Sequence, residues 1–120
     1  MAFEQRCLND GELIRTILEG SLKDLSGHIQ KVRSNLERKE YDGLVRGAHS
    51  LKGTSGTLSA LRLYETARDL EMNARRAAES PGEITTESPL ADTLDRLVSR
   101  AGREFEEFRT LIDSFYPAGD

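Results

Sequence analysis

The chain contains 120 residues, of which 37% are hydrophobic and 32% are charged, values that suit one globular domain with its own core. The formal net charge of −4 argues against a nucleic-acid partner, because phosphates attract a basic surface. The sequence has neither the roughly 18 apolar residues of a membrane-spanning helix nor a signal peptide, so we expect a cytoplasmic protein without membrane contact. Cys7 is the single cysteine and cannot form an intramolecular disulfide.

The first predicted helix begins near the amino terminus, with Asn9 as its cap and Glu12 at its third position. Apolar residues then recur at spacings of three and four, which is typical of an amphipathic helix. Gly20 and Ser21 can bend this helix or divide it into a short and a long helix. The apolar positions are Leu13, Ile17 or Leu18, Leu22, Leu25, Ile29, Val32 and Leu36.

Three more helices follow, each with one apolar face. The second spans about residues 41–58, the third spans about residues 60–79, and the fourth starts at Pro89 with Ser88 as its cap. The inward positions of the third helix are predicted at Leu63, Tyr64, Ala67, Leu70 and Ala74. Those of the fourth helix are predicted at Leu90, Leu94, Leu97, Ala101, Phe105, Phe108, Ile112 and Phe115.

These elements predict an all-α fold: an antiparallel four-helix bundle with a short extra amino-terminal helix. We expect one domain over residues 1–120, with a core of about residues 9–115. Because the chain can bury its own apolar faces, we expect a monomer. His28 lies beside the apolar face and is interpreted as a boundary residue, without the spacing of a metal site. Several charged residues are interpreted as solvated: Arg75, Arg76, Glu104, Glu106 and Glu107.

The second helix carries a histidine on its polar face. At about 100° per residue, Lys52, Gly53 and Gly56 all lie within about 60° of His49. The apolar residues of the same helix point to the opposite side: Leu44, Leu51 and Leu58. If these leucines face the core, His49 faces solvent.

Four glycines make this helix costly, since each lowers helix stability by about 1 kcal/mol relative to alanine. Gly43 and Gly47 lie on the packed side, where they could let a neighbouring helix approach closely. Gly53 and Gly56 lie on the exposed side, where packing does not explain them. Their cost is understandable if another macromolecule must approach the imidazole of His49.

The residue types of this face suit phosphoryl transfer. Histidine has an ordinary pKa near 6.5, so a neutral nucleophilic imidazole is available at neutral pH. Lys52 could supply a cationic donor to the charge that develops on phosphoryl oxygens. The sequence has no glycine-rich nucleotide loop and no carboxylate cluster typical of magnesium sites. It therefore predicts a carrier that accepts and donates a phosphoryl group without taking it from ATP itself.

The stretch from Ala48 to Leu61, AHSLKGTSGTLSAL, resembles the histidine-containing phosphotransfer (HPt) family, whose pattern is H-x-x-K-G followed by small residues. The helix plan is also similar over roughly residues 9–115. A later glycine of the family is Ser59 here, a small residue compatible with close helix contact. The resemblance implies that His49 is phosphorylated, that Lys52 assists the phosphoryl group, and that Gly53 gives access.

The resemblance also implies the partners: receiver domains whose aspartates donate and accept the phosphoryl group, and possibly a hybrid histidine kinase. It implies that no cofactor is bound by this chain and that Mg²⁺ is held by the partner receiver. Two alternatives remain open. The chain could be the phosphoacceptor domain excised from a chemotaxis-type or hybrid histidine kinase, or a non-catalytic bundle adaptor that binds receivers or other helices.

Overall fold

The computed structural model describes residues 11–117, which form a bundle of four helices. The helices are α1 (Gly11–Glu37), α2 (Tyr41–Thr57), α3 (Leu61–Glu79) and α4 (Pro89–Phe115), with a 3-10 turn at Pro81–Glu83. Each helix packs on the next, and α4 closes the bundle by packing on α1. Short connections make successive helices antiparallel. The predicted all-α four-helix bundle is therefore confirmed.

Helix α1 continues unbroken across Gly20 and Ser21, so of the two possibilities at this point, a bend or a division, the division does not occur. Gly20 lies on the exposed side, and apart from the adjacent residues and the backbone of α1, no atom comes within 4 Å of the position that a Cβ would take. A glycine there costs the helix only about 1 kcal/mol, which packing of the neighbouring turns offsets. The predicted cap Asn9, and any separate helix before Gly11, lie outside the described residues.

The core consists of two adjoining clusters between the four helices. One contains Val32, Tyr41, Leu44, Ala48, Leu70, Ala74, Ala77, Leu94, Leu97 and Val98. The other contains Leu22, Leu25, Ile29, Leu51, Ala60, Leu63, Ala67, Ala101 and Phe105. Leu44 and Leu51 of α2 are fully buried, so the inner face predicted for this helix is confirmed at both positions.

The apolar periodicity of α1 and α4 extends further along the chain than the core does. Arg15 of α1 pairs with Asp113 of α4, and this end of the helix pair lies beyond the connection between α2 and α3. Ile17 is exposed there, and Phe115 is 71% exposed. The expectation of a buried phenylalanine series is thus confirmed for Phe105 but wrong for Phe115, because α2 and α3 are too short to cover it.

Helices α1 and α2 end in the same left-handed turn. Lys39 and Ser59 both have a φ of 58°, a region that glycine occupies at little cost. After α2, the Ser59 amide donates to the Gly56 carbonyl and the Ala60 amide donates to the Ser55 carbonyl. The equivalent bonds around Lys39 close α1. Position 59 therefore favours glycine because of its backbone angle, rather than because of the close helix contact that we expected.

Replacing Ser59 with glycine should raise the free energy of unfolding by about 1 kcal/mol, because the left-handed backbone then carries no Cβ penalty. Urea denaturation followed by circular dichroism measures this change. Lys39→Gly is the matched variant at the end of α1 and should give a gain of similar size. A Ser59→Gly midpoint at or below that of the wild type would contradict the assigned backbone strain.

Candidate functional site

His49 lies on the outer face of α2, near its middle, with 67% of its side chain exposed. Its exposure follows from the phase of the helix, since Leu44 and Leu51 on the opposite face are fully buried. Sequence phase and structure therefore agree on the orientation of this histidine. The ring is not isolated in water, however, because a carboxylate of the neighbouring helix contacts it.

A buried carboxylate of α3 joins three side chains of the site. Glu71 has only 6% of its side chain exposed. Its Oε1 lies 2.8 Å from Lys52 Nζ, and its Oε2 lies 2.6 Å from Arg75 Nη2 and 3.1 Å from His49 Nδ1. Two cations and one imidazole nitrogen therefore surround a single acidic side chain that packs between α2 and α3.

The charge state of Glu71 follows from these contacts. Burial alone would raise the pKa of the carboxyl group, but hydrogen bonds from Lys52, Arg75 and His49 outweigh burial and lower this pKa from 4.5 to about 2. Glu71 is therefore an ionised carboxylate at neutral pH. As an ionised group it can only accept hydrogen bonds.

The contact with Glu71 fixes which nitrogen of His49 carries the hydrogen. Because the carboxylate only accepts, His49 Nδ1 must donate. In a neutral imidazole the other nitrogen, Nε2, is then unprotonated and keeps its lone pair. The Nε2 atom lies on the side of the ring away from Glu71, on an exposed side chain. In this tautomer the structure thus presents an unprotonated ring nitrogen outward.

Lys52 lies one turn from His49, on the face that the helix phase predicts, but it is not freely solvated. Only 26% of its side chain is exposed, and its ammonium group is bound to Glu71. The attraction of a buried carboxylate draws the flexible side chain along the surface toward α3. In this position the ammonium group of Lys52 pairs with the carboxylate that also contacts His49.

The two exposed glycines of α2 differ in their surroundings. At Gly53, apart from the adjacent residues and the backbone of α2, no atom lies within 4 Å of the place that a Cβ would occupy, so the surface beside His49 is open. At Gly56, the ring of Tyr64 on α3 lies 3.3 Å from that place. Packing therefore does contribute at Gly56, contrary to our expectation, whereas Gly53 remains without a packing reason.

The other two glycines have the packing role that the sequence predicts. A Cβ at Gly43 would lie 2.9 Å from Asn35 Oδ1, and a Cβ at Gly47 would lie 2.9 Å from Val32 Cγ1. Both contacts are with α1. The glycines let α1 and α2 approach closely and so fix the orientation of the face that carries His49.

Sequence reasoning missed Glu71. It interpreted Arg75 as a solvated residue, and the side chain is indeed 61% exposed, but the pairing of Arg75 with Glu71 was not foreseen. The spacing of four between them on a predicted helix is the signal of an ion pair that could have been used. Glu104 is also not simply solvated, since it accepts a hydrogen bond from the buried Thr66.

The family model of the Hpt domain matches residues 16–104, which is most of the chain. The chain therefore belongs to the HPt family, the histidine phosphotransfer domains of two-component signalling. These domains carry phosphoryl groups without kinase activity and interact with receiver domains. Neither the curated proteins nor the solved structures gave a match.

Two further properties concern possible ligands and location. Between residues 11 and 117, no cluster of three or more His, Cys, Asp or Glu side chains could hold a metal ion. None of the helices in this part of the chain has both the length and the apolar character required to span a bilayer.

Proposed function

We propose that His49 is the phosphoacceptor of a phosphorelay. It takes a phosphoryl group from a phospho-aspartate of one receiver domain and passes the group to an aspartate of another. The observation that supports this proposal is the exposed imidazole whose Nδ1 is bound to the buried carboxylate of Glu71. That bond directs the reactive Nε2 lone pair toward an approaching partner.

The transfer step needs no proton donor or acceptor from water. The lone pair of His49 Nε2 attacks phosphorus, and the bond between phosphorus and the aspartyl oxygen breaks as the N–P bond forms. The aspartate leaves as a carboxylate. The imidazole keeps its Nδ1 hydrogen and gains positive charge, which the adjacent carboxylate of Glu71 stabilises. Transfer to the second receiver follows the same path in reverse.

The surface around the histidine suits a large partner. Gly53 leaves open space beside His49, and Lys52, one turn along α2, has a flexible side chain whose ammonium group can turn toward phosphoryl oxygens. In this proposal the receiver supplies Mg²⁺ and most of the catalytic groups. The chain contributes the nucleophile, its orientation and one cation, so it acts as a carrier rather than as a kinase.

Incubation with a phosphorylated receiver tests the proposal. We expect one phosphate on the chain that is labile in acid and stable in base, as phosphohistidine is. The His49→Gln variant should show no such label, whereas His28→Gln, which changes the other histidine, should be labelled at the wild-type rate. Labelling that persists in His49→Gln would exclude His49 as the acceptor.

The same assay separates the proposal from its alternatives. Labelling by the ATP-binding domain of a histidine kinase, but not by receivers, would favour the phosphoacceptor domain of a chemotaxis-type kinase. Receiver binding without any phosphohistidine, and unchanged by His49→Ala, would favour a non-catalytic adaptor. The proposed function requires label from the receiver and loss of that label without His49.

A further inference from the structure

Arg75 contacts the carboxylate that orients His49, yet the transfer chemistry described above does not use it. Its Nη2 holds Oε2 of Glu71, while Lys52 holds Oε1. The two oxygens of one buried carboxylate are therefore held by different cations. Of these two cations, only Lys52 would also bind the phosphoryl group, because it lies one turn from His49 on the same helix.

We propose that Arg75 is a positioning residue that holds Glu71 in place while Lys52 turns toward the phosphoryl group on His49. This inference rests on the phosphoacceptor role proposed for His49. When Lys52 moves toward the new anion, Oε1 of Glu71 loses its partner. Arg75 stays on Oε2, so the carboxylate remains paired and keeps accepting the Nδ1 hydrogen.

The burial of Glu71 makes such a second cation necessary. An enclosed carboxylate that loses its ionic partner is strongly destabilised, since it is neither solvated nor paired. The titratable and charged groups that face Glu71 are His49 and Lys52 from α2 and Arg75 from α3. Once Lys52 has turned away, Arg75 is the cation of this set that remains.

The position of Arg75 suits this role. It lies four residues after Glu71 on α3, so its contact does not depend on movement of α2 or of His49. Its guanidinium group is always charged and offers five donors in a fixed plane. Arg75 has 61% of its side chain exposed, so solvent screens its attraction to Glu71 and the pair contributes little to the stability of the fold. An effect on His49 can therefore be separated from an effect on folding.

The tautomer of His49 provides the first test. Nitrogen-15 NMR of the ring shows which nitrogen carries hydrogen in the wild type, Lys52→Ala, Arg75→Ala and the double variant. Lys52→Ala imitates the state in which the ammonium group has left Glu71. Both single variants should keep the hydrogen on Nδ1, because one cation still holds Glu71. In the double variant, the ratio of the Nδ1–H form to the Nε2–H form should fall about tenfold below that of Lys52→Ala.

Phosphorylation by phosphoramidate, a small donor that needs no docking surface, provides the second test. Arg75→Ala should accept phosphate about tenfold more slowly than the wild type, and Arg75→Lys should recover most of the rate. Arg76→Ala, which removes the adjacent exposed arginine, is the matched control and should react at the wild-type rate. Circular dichroism verifies that each variant retains its helix content.

The two proposals fail in different ways. A wild-type chain that never forms phosphohistidine contradicts the function proposed for His49. A wild-type chain that is labelled, combined with equal tautomer ratios in Lys52→Ala and the double variant, overturns the role of Arg75. Equal losses of rate in Arg75→Ala and Arg76→Ala would overturn it as well, since a general loss of positive charge would then explain both.

Discussion

Replacing Glu71 with glutamine is expected to slow phosphoryl acceptance by about ten- to a hundredfold, because a hydrogen bond to a charged group contributes about 1.5–3 kcal/mol. The amide has nearly the same shape, but it is uncharged and has only one accepting oxygen for the donors of His49, Lys52 and Arg75. The hydrogen of His49 is then free to move to Nε2, where it blocks the attacking lone pair. The initial rate of phosphohistidine formation measures the loss.

Glu65→Gln is the matched control for this substitution, since it changes an exposed glutamate of the same helix. It should leave the rate unchanged. Equal rates for wild type and Glu71→Gln, with His49 still the labelled residue, would contradict an orienting role for Glu71. The phosphoacceptor role of His49 would survive that result.

Glu71→Gln should also remove part of the pH dependence of stability. Because the folded state lowers the pKa of Glu71 from 4.5 to about 2, its stabilising effect is complete above about pH 4.5 and is lost as the pH falls toward 2. A shift of this size corresponds to about 3 kcal/mol. His49 and Arg75 are well exposed and screened by solvent, so we expect about 1–2 kcal/mol. In urea unfolding experiments, the free energy of unfolding should decline less between about pH 5 and pH 2 in the variant than in the wild type.

The same glycine-to-alanine change at two positions of α2 is expected to have opposite effects on stability. Gly47→Ala should lower the free energy of unfolding by about 1–3 kcal/mol, because its Cβ would lie 2.9 Å from a methyl group of the fully buried Val32. Gly53→Ala should raise it by about 1 kcal/mol, because the added Cβ meets nothing within 4 Å and alanine favours the helix. Thermal and urea unfolding measure both differences.

Gly53→Ala should nevertheless slow transfer from a phosphorylated receiver, because the open surface beside His49 is partly filled. Its reaction with phosphoramidate should stay near the wild-type rate, since a small donor does not need that space. A more stable variant that accepts phosphate less readily from the receiver would identify Gly53 as an access position. Unchanged transfer from the receiver would contradict this role.

The fold could be predicted from the sequence because periodicity determines most of it. The phase of α2 placed Leu44 and Leu51 in the core and His49 in solvent, as the structure shows. Periodicity gave the wrong result at Phe115, because the apolar spacing of α4 continues past the place where α3 begins. Such an error reflects the unequal lengths of neighbouring helices, which the pattern within one helix does not report.

The candidate site could be predicted only in part, for a similar reason. His49, Lys52 and Gly53 share one helix, so their spacing alone brings them together. Glu71 comes from α3, and its distance to His49 depends on how far one helix is rotated about its axis relative to the other. The sequence did not fix that rotation. The side chain of Lys52 lies toward α3 because it pairs with Glu71. Without Glu71, the sequence analysis could not predict that orientation.

The bond between His49 and Glu71 joins side chains from separate helices, so the reactive tautomer is a product of tertiary structure rather than of α2 alone. Any expansion of the bundle that moves α3 away from α2 by a few ångströms breaks this bond while leaving both helices intact. A molten-globule form of the protein would then keep its far-ultraviolet circular dichroism spectrum but lose the ability to accept a phosphoryl group. Chemical reactivity should therefore disappear before helicity as the temperature rises.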